Sequence, residues 1–387
     1  MYIFSRILSL MIYCIILVIV CIFIKNITKK KLDIIILKLY IMILFVMGYF
    51  FIPHEGADLT RVIIAMNSYR DLNFSGLLYE ILNSTTPGVP IYYYLISKLN
   101  NVQLLPAISA FIIFTFCFGI LINILLRKDS TIKTSDIAIS LFVFMSRGLF
   151  LQSISNIRTM LSLAILGWCI YQEFYNNKTF KYLSYFYLLA ASFHVMGQII
   201  LVYRIVYFIF GRSRSKIRKI MKIISIAAIV LVSLYGADKY INNILKLFNL
   251  YISATISGEG YSYIWERILS VITIIYCLYL IKYYKHSNKL KSYSIAREKT
   301  RVSTIKLIAY LYPLLWIDVA AFFVEFNFFQ RLSWYIAILC IPLVVFTLRE
   351  DNLTRKKHQK ILILFSTLVL ILACTRGDLC SLKFFLI

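Results

Sequence analysis

The chain carries none of the short signatures that mark common enzyme chemistries. It has no GxSxG nucleophile turn, no HExxH metal pair, no Walker phosphate loop and no Rossmann glycine fingerprint. Hydrolase, protease and nucleotide-driven chemistries therefore have no support in it. Its eight cysteines form no CxxC pair and no cluster with histidine, so neither a disulfide framework nor a metal site is expected. All but Cys374 and Cys380 lie inside apolar blocks, where they read as small helix-packing residues. Negative charge is also scarce. Against 42 Lys and Arg stand 17 Asp and Glu, a formal net charge of +25. In a soluble protein that excess would point to nucleic acid.

What fills the chain instead is apolar sequence. Hydrophobic residues make up 61% of it, and they fall in long uncharged blocks such as 7–24, 34–52 and 104–126. Each block is about long enough to cross a hydrocarbon core of roughly 30 Å. The expected fold class is all-α: a polytopic integral membrane protein forming a single membrane domain over 1–387. The first block has no small-residue cleavage site behind it, and Lys29, Lys30 and Lys31 follow it, so it reads as a retained span with its N-terminus outside.

Basic residues gather in cytoplasmic loops of membrane proteins. Six short polar segments (25–38, 127–133, 176–181, 211–222, 282–306 and 349–360) hold 29 of the 42 Lys and Arg. Placing all six inside accounts for the charge through anionic lipid headgroups, with no need for nucleic acid. It also sets the path of the chain, with about 12 transmembrane helices including short half-spans. The later spans fall near 136–150, 159–175, 182–193, 195–210, 221–236, 261–281, 306–324, 331–348 and 360–375. The run "YFYLLAASFHVMGQIILVYRIVYFIF" (185–210) must then turn near His194 and Gly197, with His194 at the base of an outward-facing, water-filled pocket. Two outer segments are long, 53–101 with amphipathic helices and 237–260 ending in a loop that carries Glu259.

On that path a set of charged residues collects on the outer side: Asp58, Arg61, Arg147, Arg158, His194, Glu259 and Arg331. Arg158 and Arg331 each stand where a span begins. Taken singly, each arginine is equally well an interfacial anchor. Together the set limits the chemistry. Arginines clamp phosphate or pyrophosphate by paired hydrogen bonds, and a histidine or carboxylate can take a proton from an attacking hydroxyl. His194 is expected as base or hydroxyl-orienting group, with Asp58 as the alternative. Arg158, Arg331, Arg147, Arg61 and Glu259 are expected to bind substrate. A phosphate-lipid leaving group and a hydroxyl acceptor describe a lipid-linked glycosyltransferase.

Four stretches, in order along the chain, resemble the EpsG family of Wzy-like polymerases. They are "GADLTRVIIAMNSYRD", similar to the family's G-x-D-x-x-x-Y stretch, "NIRTMLSLAIL", "LLAASFHVMGQIIL" and "FFQRLSWYIAIL". Where the family often carries a tyrosine after the Asp, this chain has Val62–Ile63–Ile64, with its next tyrosine at Tyr69. Carried over position by position, the resemblance places Asp58, Arg158, His194 and Arg331 in the site. It implies a multi-pass enzyme of the bacterial inner membrane with its active site facing the periplasm. Such an enzyme moves a growing glycan from undecaprenyl pyrophosphate onto a lipid-linked oligosaccharide repeat unit of O-antigen or exopolysaccharide. It implies no cofactor and no metal, and as partners the lipid-linked repeat units, membrane lipids and a chain-length regulator protein. The rivals are an O-antigen ligase and a flippase or transporter of lipid-linked oligosaccharide.

Overall fold

The computed structural model describes residues 2–27, 30–53, 58–127, 132–210, 261–287, 295–324, 326–348, 353–375, 379 and 381–384. Among them there are helices and no strand, apart from one isolated bridge between Phe51 and Phe384. Long apolar runs leave the backbone no partner outside itself in lipid, and the helix satisfies every N–H and C=O internally.

Two long helices open the chain, α1 (Tyr2–Asn26) and α2 (Lys30–Tyr49). Three short ones follow: α3 (Asp58–Asn67), α4 (Phe74–Asn83) and α5 (Gly88–Ser97). Then come α6 (Leu104–Leu125), α7 (Thr134–Ser146), α8 (Leu149–Ser155), α9 (Ile157–Asn176), α10 (Phe180–Phe193) and α11 (Val195–Phe210). The last four described helices are α12 (Tyr261–Ser287), α13 (Ile295–Val324), α14 (Phe326–Leu348) and α15 (Leu353–Thr375).

Helix α9 is the hub, with 17 of its 20 residues buried among its neighbours. A helix wrapped by protein can carry Ser162, Gln172 and Glu173, because side chains and not lipid meet them. Glu173 accepts from Tyr187 of α10 at 3.0 Å and from Arg204 of α11 through Nε at 2.8 Å and through a second guanidinium nitrogen. Arg204, a lone cation within the apolar run 185–210, is thereby committed to a buried ion pair. By contrast α1 turns Ile7, Met11, Ile15, Val18 and Ile22 outward, the apolar face expected of a helix bordered by lipid.

Among the described residues, arginines of two basic segments meet helix ends on one side of the bundle. Arg127, past the end of α6, donates to the Tyr175 carbonyl at 2.7 Å at the end of α9. Arg355 at the start of α15 pairs at 2.6 Å with Asp136 in the first turn of α7. Both members of that pair are buried, so each depends on the other for its compensation.

Seven helices are long and apolar enough to cross a membrane, or eight if the bent pair α7–α8 is one span. The chain is a polytopic helical membrane protein, as its hydropathy indicates. The expected 12 crossings become this smaller set among the described residues, and 221–236 and the 237–260 loop with Glu259 lie outside them. The segments 159–175, 182–193 and 195–210 are helical, yet α9, α10 and α11 are not among the seven. For α9 the reason is its mixed composition at the centre of the bundle. The 53–101 segment contributes α3, α4 and α5.

Candidate functional site

At the end of the bundle opposite the basic segments, five parts of the chain enclose a cleft with about 190 Å³ of water-accessible space. Helix α3 contributes Asp58 and Arg61, and α5 contributes Tyr93. The α8–α9 junction contributes Asn156, Arg158 and Thr159, the α10–α11 break His194, and the first turns of α14 Arg331. Five of the seven expected site residues are thus side by side, though up to 273 positions separate them in sequence.

Each is placed by a local event. Asn156 stands at φ −97°, ψ 48° and separates α8 from α9, so Arg158 opens a new helix. No side chain caps the first turn of α9. Its leading amides border the cleft and add partial positive charge to that of the arginine.

At the second break, His194 is extended, with φ −158° and ψ 147°, between α10 and α11. The chain turns back so tightly there that a Cβ on Gly197 would lie 2.6 Å from the Ala190 carbonyl oxygen and 2.1 Å from Ser162 Oγ. One continuous helix would hold residues 190 and 197 about 10 Å apart. The 185–210 run is therefore two helices. Gln198 Nε2 donates to the Thr85 carbonyl at 2.8 Å, and Ser192 packs against Gly88, so this break also positions α5.

His194 Nδ1 accepts the Met196 backbone N–H at 3.0 Å. A neutral imidazole that accepts at Nδ1 carries its proton on Nε2, which makes Nε2 a donor. His194 lies outside every candidate span. Burial first, then the charges of Arg331 and Arg158, lower its pKa from the ordinary value to about 3, so the neutral ring prevails. Asp58 is the one carboxylate among the described lining residues. It pairs with Arg61 at 2.6 Å, but their side chains are 48% and 73% exposed. A pair so open to solvent is weak, and Arg61 can exchange it for another anion.

The structure does not bring Arg147 into the cleft. Gly148, at φ 78°, bends the chain by 55° between α7 and α8. Arg147 is buried against α12 instead, donating to Thr273 Oγ1 at 2.9 Å and Ser270 Oγ at 3.3 Å. Tyr93, Asn156 and Thr159 also line the cleft, and no motif in the chain marked them as lining residues.

A cationic cleft with one carboxylate, at one end of a helical membrane bundle, defines the class: an integral membrane protein with a polar site at its surface. The EpsG family model matches residues 65–379, and the chain belongs to that family, a family of Wzy-like polysaccharide polymerases. The match takes in Tyr93, Arg158, His194 and Arg331, and it begins after Asp58 and Arg61. No curated protein and no solved structure matches the chain.

Proposed function

We propose that the cleft is the active site of a glycosyltransferase that extends a polysaccharide at the outer face of the bacterial inner membrane. The donor would be a growing glycan on undecaprenyl pyrophosphate, and the acceptor a lipid-linked repeat unit. The observation that carries this reading is the convergence of Arg61, Arg158 and Arg331 with Asp58 and His194 in one cleft.

The acceptor hydroxyl attacks the anomeric carbon of the glycan. A new C–O bond forms while the bond to the pyrophosphate oxygen breaks, and that oxygen leaves with the electron pair. Arg158 and Arg331 stabilise the negative charge that grows there. Asp58 accepts the hydroxyl proton. His194, with its proton on Nε2, donates to an oxygen of the bound substrate. Its part as base, expected from the histidine's ordinary titration range, passes to Asp58, because a ring nitrogen that already bears a proton cannot accept one. Arg61 releases Asp58 for this step by turning to the incoming anion. The carrier's isoprenoid stays in the surrounding lipid, and a chain-length regulator would act from outside this site.

A deletion strain tests the reading. With the chain removed, the lipid core should carry one repeat unit and no ladder. A bare core with polymer on the carrier would mean a ligase, and neither product a flippase. Arg158→Lys and Arg331→Lys keep the charge and lose the planar fork, and each should shorten the glycan markedly at normal expression. Wild-type ladders from both would reduce these residues to interfacial anchors.

A further inference from the structure

Tyr93 is only 3% exposed, it lines the cleft, and its hydroxyl has no hydrogen-bond partner among the described residues. Its neighbours are settled differently. Tyr92 bonds Ser109 Oγ at 2.7 Å, and Tyr94 lies beneath Lys98 with Nζ 4.8 Å from the ring centroid. The Tyr93 ring is held in place, edge-on to Tyr69 with centroids 6.1 Å apart and tilted against Tyr92 at 6.3 Å. A buried polar group without a partner costs stability, and phenylalanine would fill the same space without that cost. The hydroxyl therefore has little structural reason to be there. Arg158 is near enough for its charge to act on the phenol. Tyr93 and Arg158 line the same cleft.

We propose that Tyr93 is a substrate-binding residue whose phenolic O–H donates to a phosphate oxygen of the pyrophosphate lipid held by Arg158. This rests on the function proposed above. Phosphate oxygens are charged acceptors, to which hydrogen bonds are stronger than to neutral ones. The phenol adds directional selectivity that the arginine charge alone does not supply. It requires no proton transfer, and tyrosine acts here as a donor only.

The test uses the full chain in lipid nanodiscs, with farnesyl pyrophosphate as probe and farnesol as the uncharged control. Tyr93→Phe should unfold, without ligand, at or above the wild-type temperature, and bind farnesyl pyrophosphate roughly 10-fold more weakly. Farnesol should not tell the two proteins apart. A lower unfolding temperature in Tyr93→Phe would make the hydroxyl structural and overturn the proposal. Equal binding by Tyr93→Phe, alongside weakened binding by Arg158→Lys, would overturn it and leave the pyrophosphate reading of the cleft intact. Failure of the wild-type protein to bind farnesyl pyrophosphate would overturn both.

Discussion

His194 has two nitrogens with two tasks. Nδ1 accepts the Met196 N–H in the first turn of α11, and Nε2 is left to donate. Asparagine can reproduce the first bond through Oδ1 but does not reach as far as Nε2. His194→Asn should therefore fold normally and lose roughly 10-fold in glycan transfer, the scale of one hydrogen bond to a charged acceptor. Full activity in a normally expressed variant would reduce His194 to a helix cap. The histidine also has a stability signature. Its folded pKa is lowered, so below about 6.5 the unfolded chain takes up a proton that the folded chain refuses. The stability present above that pH is lost as pH falls toward the folded value. Between pH 7.5 and 5 the unfolding temperature should fall more in the wild type than in His194→Asn, and equal slopes would refute the assignment.

The break between α10 and α11 works because Gly197 presents no side chain to Ser162 and Ala190. Gly197→Ala would push a methyl into contacts of 2.1 Å and 2.6 Å, one of them with a backbone oxygen that cannot swing aside. Overpacking of this kind costs about 1–3 kcal/mol. It should appear as a lower unfolding temperature with His194 displaced from the cleft, so glycan transfer falls as well. An unchanged unfolding temperature would show that the two helices slide apart freely. The limbs of 14 and 16 residues are short, yet the break supplies what a straight helix cannot: an extended residue facing a cleft between packed helices.

Across the whole molecule, the charge pattern and the packing agree on which ends of the helices belong together. Arg127 meets the end of α9, and Arg355 meets the start of α7, at the end away from the cleft. If the basic end is cytoplasmic, Asn83 at the end of α4 faces outward and Lys178 after α9 faces inward, and both are exposed. In a background without the native cysteines, an impermeant thiol reagent on intact inner-membrane-exposed cells should label Asn83→Cys but not Lys178→Cys until the membrane is opened. Labelling of Lys178→Cys from outside would invert the protein and remove the proposed periplasmic site.

The amino-acid sequence by itself determined the membrane class, the helical content, the clustering of basic residues and the presence of a break at His194. Hydropathy and charge are one-dimensional and are read against a fixed slab of lipid, so they need no knowledge of neighbours. It could not rank the arginines. Arg147, Arg158, Arg204 and Arg331 looked alike as lone cations in largely apolar stretches. Packing separated them: the bend at Gly148 gave Arg147 to α12, and Glu173 took Arg204, while Arg158 and Arg331 came to one cleft. The same holds for Tyr92, Tyr93 and Tyr94, three identical letters of which one lines the site. Which partner a side chain meets depends on contacts between residues far apart in the chain, and only the tertiary structure decides those.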